Sequence, residues 1–245
     1  MLYESGLNGD LTSYDTFVGQ ISGSSSTTSV NVNKIIENSG GTTQAQSHGT
    51  MHYTTSTPSG RTTLTELSGA IFYVYDTNSA AVLFADSNNG QTTKTQTQIG
   101  WLEPQTAPSS GTWSSGNLAA SYFMSPVSNG DYNKDFGSGV LTLNSSGAFT
   151  NFAQEDGGWN WADWDEPLSG SSSVTATGVV VPDTTNDPTG AFGIFDMNMT
   201  EGGSTSTQVY CIAISVDKAT NSSTQGRLVC VDAGSKSPQL TIISE

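Results

Sequence analysis

The sequence predicts an all-β protein of two tandem antiparallel meander domains, each a small barrel or sandwich. Three observations carry this. Short runs rich in Val, Ile, Tyr and Phe alternate with Gly-, Ser- and Asn-rich turns along all 245 residues. No amphipathic stripe of helical period persists for three turns. The two halves also share an order of strands, each ending in an apolar hairpin and a closing strand. One long barrel or sandwich remains the alternative.

The hairpins are the clearest elements. The longer runs from Gln208 to Asp232 and holds the only two cysteines. Placing Cys211 opposite Cys230 centres the turn on Thr220 and Asn221, which is good turn chemistry. The same register puts Tyr210, Ile212 and Ile214 on one face with Val229 and Val231. It puts Val209, Ala213, Ser215, Gly226 and Leu228 with the cysteines on the other. The bulkier face is the expected core. In an exported chain Cys211 and Cys230 form a cross-strand disulfide worth roughly 3 kcal/mol. In a cytosolic one they stay as reduced core thiols. The shorter hairpin spans Ile71 to Asp86.

Taken in order, residues 1–16 are polar and turn-rich, and a first strand begins near Phe17. Val30 to Ile36 alternates as a strand with one wet face. Strands near Thr50–Thr54 and Arg61–Thr65 flank the turn Pro58–Gly60. Thr95 to Leu102 closes the first half. Glu103 to Gly111 carries two prolines and few apolar residues, which reads as a linker. The expected division is a first β domain over 1–103, a linker over 104–112 and a second β domain over 113–245.

In the second half, Leu118 to Met124 opens as a strand. Gly139 to Phe152 reads as two strands around the turn Asn144–Gly147, and Val174 to Val181 as another. Pro182 to Gly190 is a turn-rich loop, Phe192 to Met199 alternates, and Leu240 to Ile243 closes the chain. No full strand in the first half matches 118–124. Either the first domain has an unpaired edge ahead of Phe17, or Leu2–Tyr3 or Tyr14–Val18 fills the place.

The run Gly60 to Leu64, ahead of Phe72 to Tyr75 and Val82 to Phe84, resembles lipocalin-like repeats of large secreted bacterial proteins. The resemblance covers most of the chain and implies tandem barrels outside the cell. It carries no functional residue over, because the family has no assigned activity.

Composition narrows the partners. The net charge is −15, with seven Lys and Arg in all and none between Lys134 and Lys218. Nucleic acid is excluded as a partner, since phosphate binding needs clustered positive charge. An anionic membrane surface is disfavoured for the same reason. No apolar run approaches the length of a membrane helix, so membrane insertion is not expected. Met1 to Glu4 leads into polar residues rather than a signal peptide, so if the protein is exported the sequence is a mature or a trimmed form. Charged residues are only 12%, so Ser, Thr, Gly and Asn must supply much of an exported surface.

The densest chemistry lies at 155–167. Trp159, Trp161 and Trp164 fall among Glu155, Asp156, Asp163, Asp165 and Glu166. Aromatic faces stack on sugar rings and carboxylates accept hydroxyl hydrogen bonds, so these residues can form a carbohydrate platform. The better reading of the same tryptophans is that they plug a barrel end or bury themselves at a domain or subunit interface. Two of the carboxylates could form a glycosidase pair, although sequence alone does not give their separation. His48 and His52 stand about 13 Å apart along a strand, too far to share a metal. No cofactor is expected. The acidic loops Asp86–Gly90 and Asp183–Asp187 offer the oxygen ligands of a Ca²⁺ site, but neither has the EF-hand pattern and both read better as Asx-rich turns.

The leading expectation is a non-catalytic extracellular or cell-surface β-protein, structural or adhesive, whose partner is itself in a filament or surface layer. A carbohydrate-binding module for surface glycans through Trp159, Trp161, Trp164, Asp163, Asp165 and Glu166 is the alternative. A glycoside hydrolase is the third reading.

Overall fold

The computed structural model describes residues 2–7, 14–23, 28–47, 49–56, 59–66, 70–76, 79–87, 95–127, 135–158, 172–201, 205–215, 226–233 and 240–245. The protein is all-β and folds as two compact units that meet in sequence between Gln105 and Thr106. No helix among the described residues is long and apolar enough to cross a membrane.

The first unit holds β1 (Leu2–Leu7), β2 (Tyr14–Gly23), β3 (Ser29–Ser39), β4 (Thr42–Gln46), β5 (Gly49–Ser56), β6 (Arg61–Leu64), β7 (Ala70–Asp76), β8 (Ser79–Ser87) and β9 (Thr95–Leu102). They form a nine-stranded sheet in which β2 also pairs with β3. The pairings β1–β2, β2–β3, β3–β5 and β5–β6 run into β6–β7, β7–β8, β8–β9 and β9–β1. They therefore return to their start, and β4 extends from the far end of β3.

β1 begins at Leu2–Tyr3, one of the two segments the sequence offers for the place ahead of Phe17, and it pairs along its whole length with both β2 and β9. The place ahead of Phe17 is therefore filled, and the unpaired edge considered there does not exist. β4 reads Thr-Thr-Gln-Ala-Gln and has no apolar face to signal a strand.

The second unit is a closed barrel in sequence order. Its strands are β10 (Ser121–Val127), β11 (Asp135–Leu143), β12 (Phe149–Gly158), β13 (Ser172–Pro182), β14 (Ile194–Glu201), β15 (Thr205–Ser215), β16 (Arg227–Asp232) and β17 (Leu240–Ser244). β10 and β17 close it. The turn Asn144–Gly147 joins β11 to β12. Asn144 Oδ1 accepts the Ser146 and Ala148 N–H groups, and Gly147 supplies a positive φ of 81°. A Cβ at Gly147 would collide with the Val180 carbonyl oxygen.

The strand expected from Leu118 begins later. Ser115–Leu118 is a 3-10 turn, because Leu118 and Trp113 are drawn into the barrel core rather than left beside it. The Tyr122 hydroxyl donates to the Leu118 carbonyl at 2.8 Å and ties the turn to β10. Trp113 lies across Gly193, where a Cβ would come within 3.0 Å of the indole ring. Thr106 and Trp113 donate their backbone N–H groups to Ile214 and Gly190. Residues 106–113 thus dock on the second barrel instead of hanging free.

Cys211 and Cys230 are directly opposed across β15 and β16 and form a disulfide. The expected core face is wrong, however. The buried cluster drawn from all eight strands takes Val209, Cys211, Ala213, Leu228 and Cys230, so the cysteine face is the barrel interior. Ile212, Val229 and Val231 point outward and are buried as well. Side-chain size alone misleads where both faces of a strand are covered. A bulge near Ile214 sets Ser215 against Arg227 instead of Gly226, and the turn at Thr220–Asn221 lies outside the described residues.

Because both sulfurs are buried inside the barrel, reductant should leave the bond intact in the native protein. A Cys211→Ala, Cys230→Ala double variant should lose roughly 3 kcal/mol in a urea titration. Ready reduction by a mild thiol without unfolding, or an unchanged midpoint, would contradict this placement.

Candidate functional site

The first barrel has a hollow end. Register fixes which side chains enter it, because directly opposed residues share a face. The inward pairs are Val30–Met51, Tyr53–Leu64, Thr55–Thr62, Thr62–Phe72, Val74–Ala80 and Ala80–Leu102. Above the packed residues Phe17, Val32, Met51 and Val82, these strands enclose a cavity of about 490 Å³. Leu64 and Phe72 form its buried floor. Val74, half exposed, stands at its mouth.

Of the hydroxyl-bearing lining residues Thr55 is exposed, whereas Thr62 is buried opposite Phe72 and Tyr53 stands opposite Leu64. Thr55 Oγ1 and Thr62 Oγ1 are 3.0 Å apart across β5 and β6, and Tyr53 is the third hydroxyl-bearing residue. None of the described lining residues carries a charge. The site is therefore an apolar chamber with a hydroxyl rim, in the size range of small-molecule pockets.

The second barrel shows why the first is hollow. Its β14 and β16 turn Phe195, Met197 and Leu228 inward, and Trp113 and Leu118 join the same core. The first barrel turns Thr62 and Ala80 inward from β6 and β8. Eight strands enclose an interior that side chains can just fill, and smaller side chains leave room for a ligand.

The carbohydrate candidates Trp159, Trp161, Trp164, Asp163, Asp165 and Glu166 lie outside the described residues. Glu155 and Asp156 are on β12, opposite Ser173 and Ser172 of β13. Of the loop Asp86–Gly90, residues 88–90 lie outside the described set.

The loop Asp183–Asp187 is described, and its carboxylates serve the backbone. Asp183 Oδ1 accepts N–H bonds from Thr185 and Asn186 at 3.0 and 2.9 Å. Asp187 Oδ2 accepts from Phe192 and Gly193, both at 2.9 Å, and its Oδ1 accepts from Ala191. Both aspartates are buried. This is the Asx-turn geometry, with carboxylate lone pairs engaged by N–H donors that the approach to β14 leaves unpaired. Among the described residues no group of three His, Cys, Asp or Glu is placed to hold a metal.

His48 lies outside the described residues. His52 is on the outer face, and its Nδ1 meets Glu66 Oε1 at 2.7 Å. The Glu66 Oε2 accepts the His52 backbone N–H at the same distance. These bonds from His52 hold the exposed Glu66 carboxyl below its ordinary range.

One polar group sits less comfortably. Asp196, opposite Tyr210 on the outer side of the second barrel, has its Oδ1 buried without a partner among the described residues. Burial raises its pKa, the nearby Asp183 carboxylate raises it further, and a hydrogen bond from Gln208 partly offsets both. Burial, then Asp196 and Asp183, likewise raise the Tyr210 phenol.

A raised native pKa means that ionised Asp196 destabilises the fold at neutral pH. As pH falls through the raised native value toward the ordinary 3.8, the native state takes up a proton first and that destabilisation is relieved. Asp196→Asn should therefore raise the thermal midpoint at neutral pH, and the gain should shrink in mild acid. A loss at neutral pH, or a gain independent of pH, would refute it.

The chain matches no protein-family model and no curated protein. Among solved structures it is similar to the crystal structure of kievitone hydratase from Nectria haematococca, at 8% identity and a TM-score of 0.28. The alignment covers 99% of this chain and 87% of that one. A likeness of this size carries no inference about function.

Proposed function

We propose that the chain is a non-catalytic, extracellular or cell-surface binding protein whose first barrel takes a small, predominantly apolar molecule. The observation that carries this is the cavity of about 490 Å³ in the first barrel; among the described residues the second barrel packs Trp113, Phe195, Met197 and Leu228 into one buried cluster. The disulfide supports an oxidising compartment. A closed ring of eight strands is of a size that can hold one small ligand.

The reading predicts that a neutral apolar dye such as phenylnaphthylamine gains fluorescence on binding the full chain. Ala80→Leu, which fills the cavity, should weaken the dye by about tenfold or more. Val74→Trp should block entry from the half-exposed mouth without disturbing the core. Thr54→Leu, on the outer face of β5, should change nothing. Absence of binding, or binding indifferent to both cavity variants, would rule the reading out.

A second reading is self-association as a structural or adhesive subunit. Its support is the exposure of Tyr75 on β7 and Phe123 on β10, at 65% and 72%. The edge ahead of Phe17 lends it no support, because β1 occupies that place. Sedimentation of the full chain should then show polymers that Tyr75→Ser and Phe123→Ser disperse, whereas a monomer at all concentrations would reject it.

A further inference from the structure

We propose that the first barrel selects uncharged amphiphiles, with an apolar body and a hydroxyl or carbonyl end, over carboxylates of the same length. This rests on the ligand-binding reading above and names the ligand class of that site.

Selectivity against anions follows from where the cations lie. The first barrel's described cationic side chains are Lys34 and Arg61. Arg61 lies between the inward Gly60 and Thr62 and so projects outward. Lys34 is opposed to Gln20, whose side chain bonds Asn33 and Gln105 rather than entering the cavity. Strand alternation thus leaves the described chamber without a positive charge. A buried carboxylate needs a cation or several donors to offset its lost hydration. The net charge of −15 adds a repulsive field for any anion.

The rim supplies what a neutral head group needs. The Thr62 hydroxyl lies 3.0 Å from Thr55 Oγ1 and 3.5 Å from the Gly60 carbonyl. When its hydrogen goes to either, the Thr55 hydroxyl can donate to a ligand oxygen, and both oxygens keep lone pairs to accept. One neutral donor with flanking acceptors suits an alcohol or a carbonyl. Thr55 is exposed while Leu64 and Phe72 are buried and offer no polar side-chain atom, so the polar end belongs at Thr55 and the apolar body against the buried pair.

The test is displacement of phenylnaphthylamine from the full chain by decanol and by decanoate, at neutral pH where the acid is ionised. Decanol should displace the dye at a concentration about tenfold lower than decanoate or less. Thr55→Val should weaken decanol severalfold more than it weakens the dye, because the alcohol uses the rim hydroxyl and the dye does not depend on it. Decanoate binding as well as decanol, with Ala80→Leu weakening both, would overturn the selectivity and keep the cavity as a binding site. Displacement by either ligand that ignores both Ala80→Leu and Val74→Trp would overturn the selectivity and the binding reading together.

Discussion

Closure of an antiparallel meander on itself sets the terms for everything else in this chain. In the first unit β1 pairs with both β2 and β9. In the second, β10 pairs with β17. Once a ring of eight strands is closed, its strand number fixes the width of the interior. Only the inward side chains are then free to decide whether that interior is packed or empty. The second barrel fills its inward positions with Phe195, Met197, Leu228 and a disulfide, and takes Trp113 and Leu118 into the same core. The first places Thr55, Thr62 and Ala80 at one end and is hollow there.

Polar groups follow the same division. Much of the polar chemistry of the second barrel is consumed in holding backbone. Asp187 gathers the N–H groups of Ala191, Phe192 and Gly193, and Asp183 those of Thr185 and Asn186. On the outer face of β2 and β3, Asn33 bonds Gln20 and Ser22, and Gln20 bonds Gln105. Amides and hydroxyls there take the place that charge holds elsewhere, in keeping with a chain only 12% charged. The rim of the cavity is different. Its Thr55 and Thr62 hydroxyls lie 3.0 Å apart, and Thr62 also reaches the Gly60 carbonyl at 3.5 Å, which leaves the Thr55 hydroxyl hydrogen available to a ligand.

Strands are legible in the sequence wherever an apolar run meets good turn chemistry. The Cys211–Cys230 register, the turn at Asn144–Gly147 and the loop Pro182–Gly190 can be read because local residues determine them. β4 cannot, since it has no apolar face, and β1 offers only Leu2–Tyr3 as a signal. The inner face of β15 is misread from side-chain size because both of its faces are buried, and size no longer distinguishes them. The cavity is invisible for a related reason. Ile21, Leu64 and Phe72 look like ordinary core residues, and emptiness is a property of the whole ring. The one available signal is the small inward set of Gly60, Thr62 and Ala80, which can be read only once the register is known. The tryptophan segment, the most conspicuous stretch of the sequence, falls outside the described residues.

Crystallography of the full chain under xenon pressure tests the hollow first barrel without assuming any ligand, because xenon enters dry apolar cavities. A xenon peak should appear inside the first barrel, against Leu64, Phe72 and Val74, and none inside the second. A first barrel without xenon, or xenon only among Leu141, Phe195 and Leu228, would show that the first interior is not the empty one and would contradict the binding function built on it.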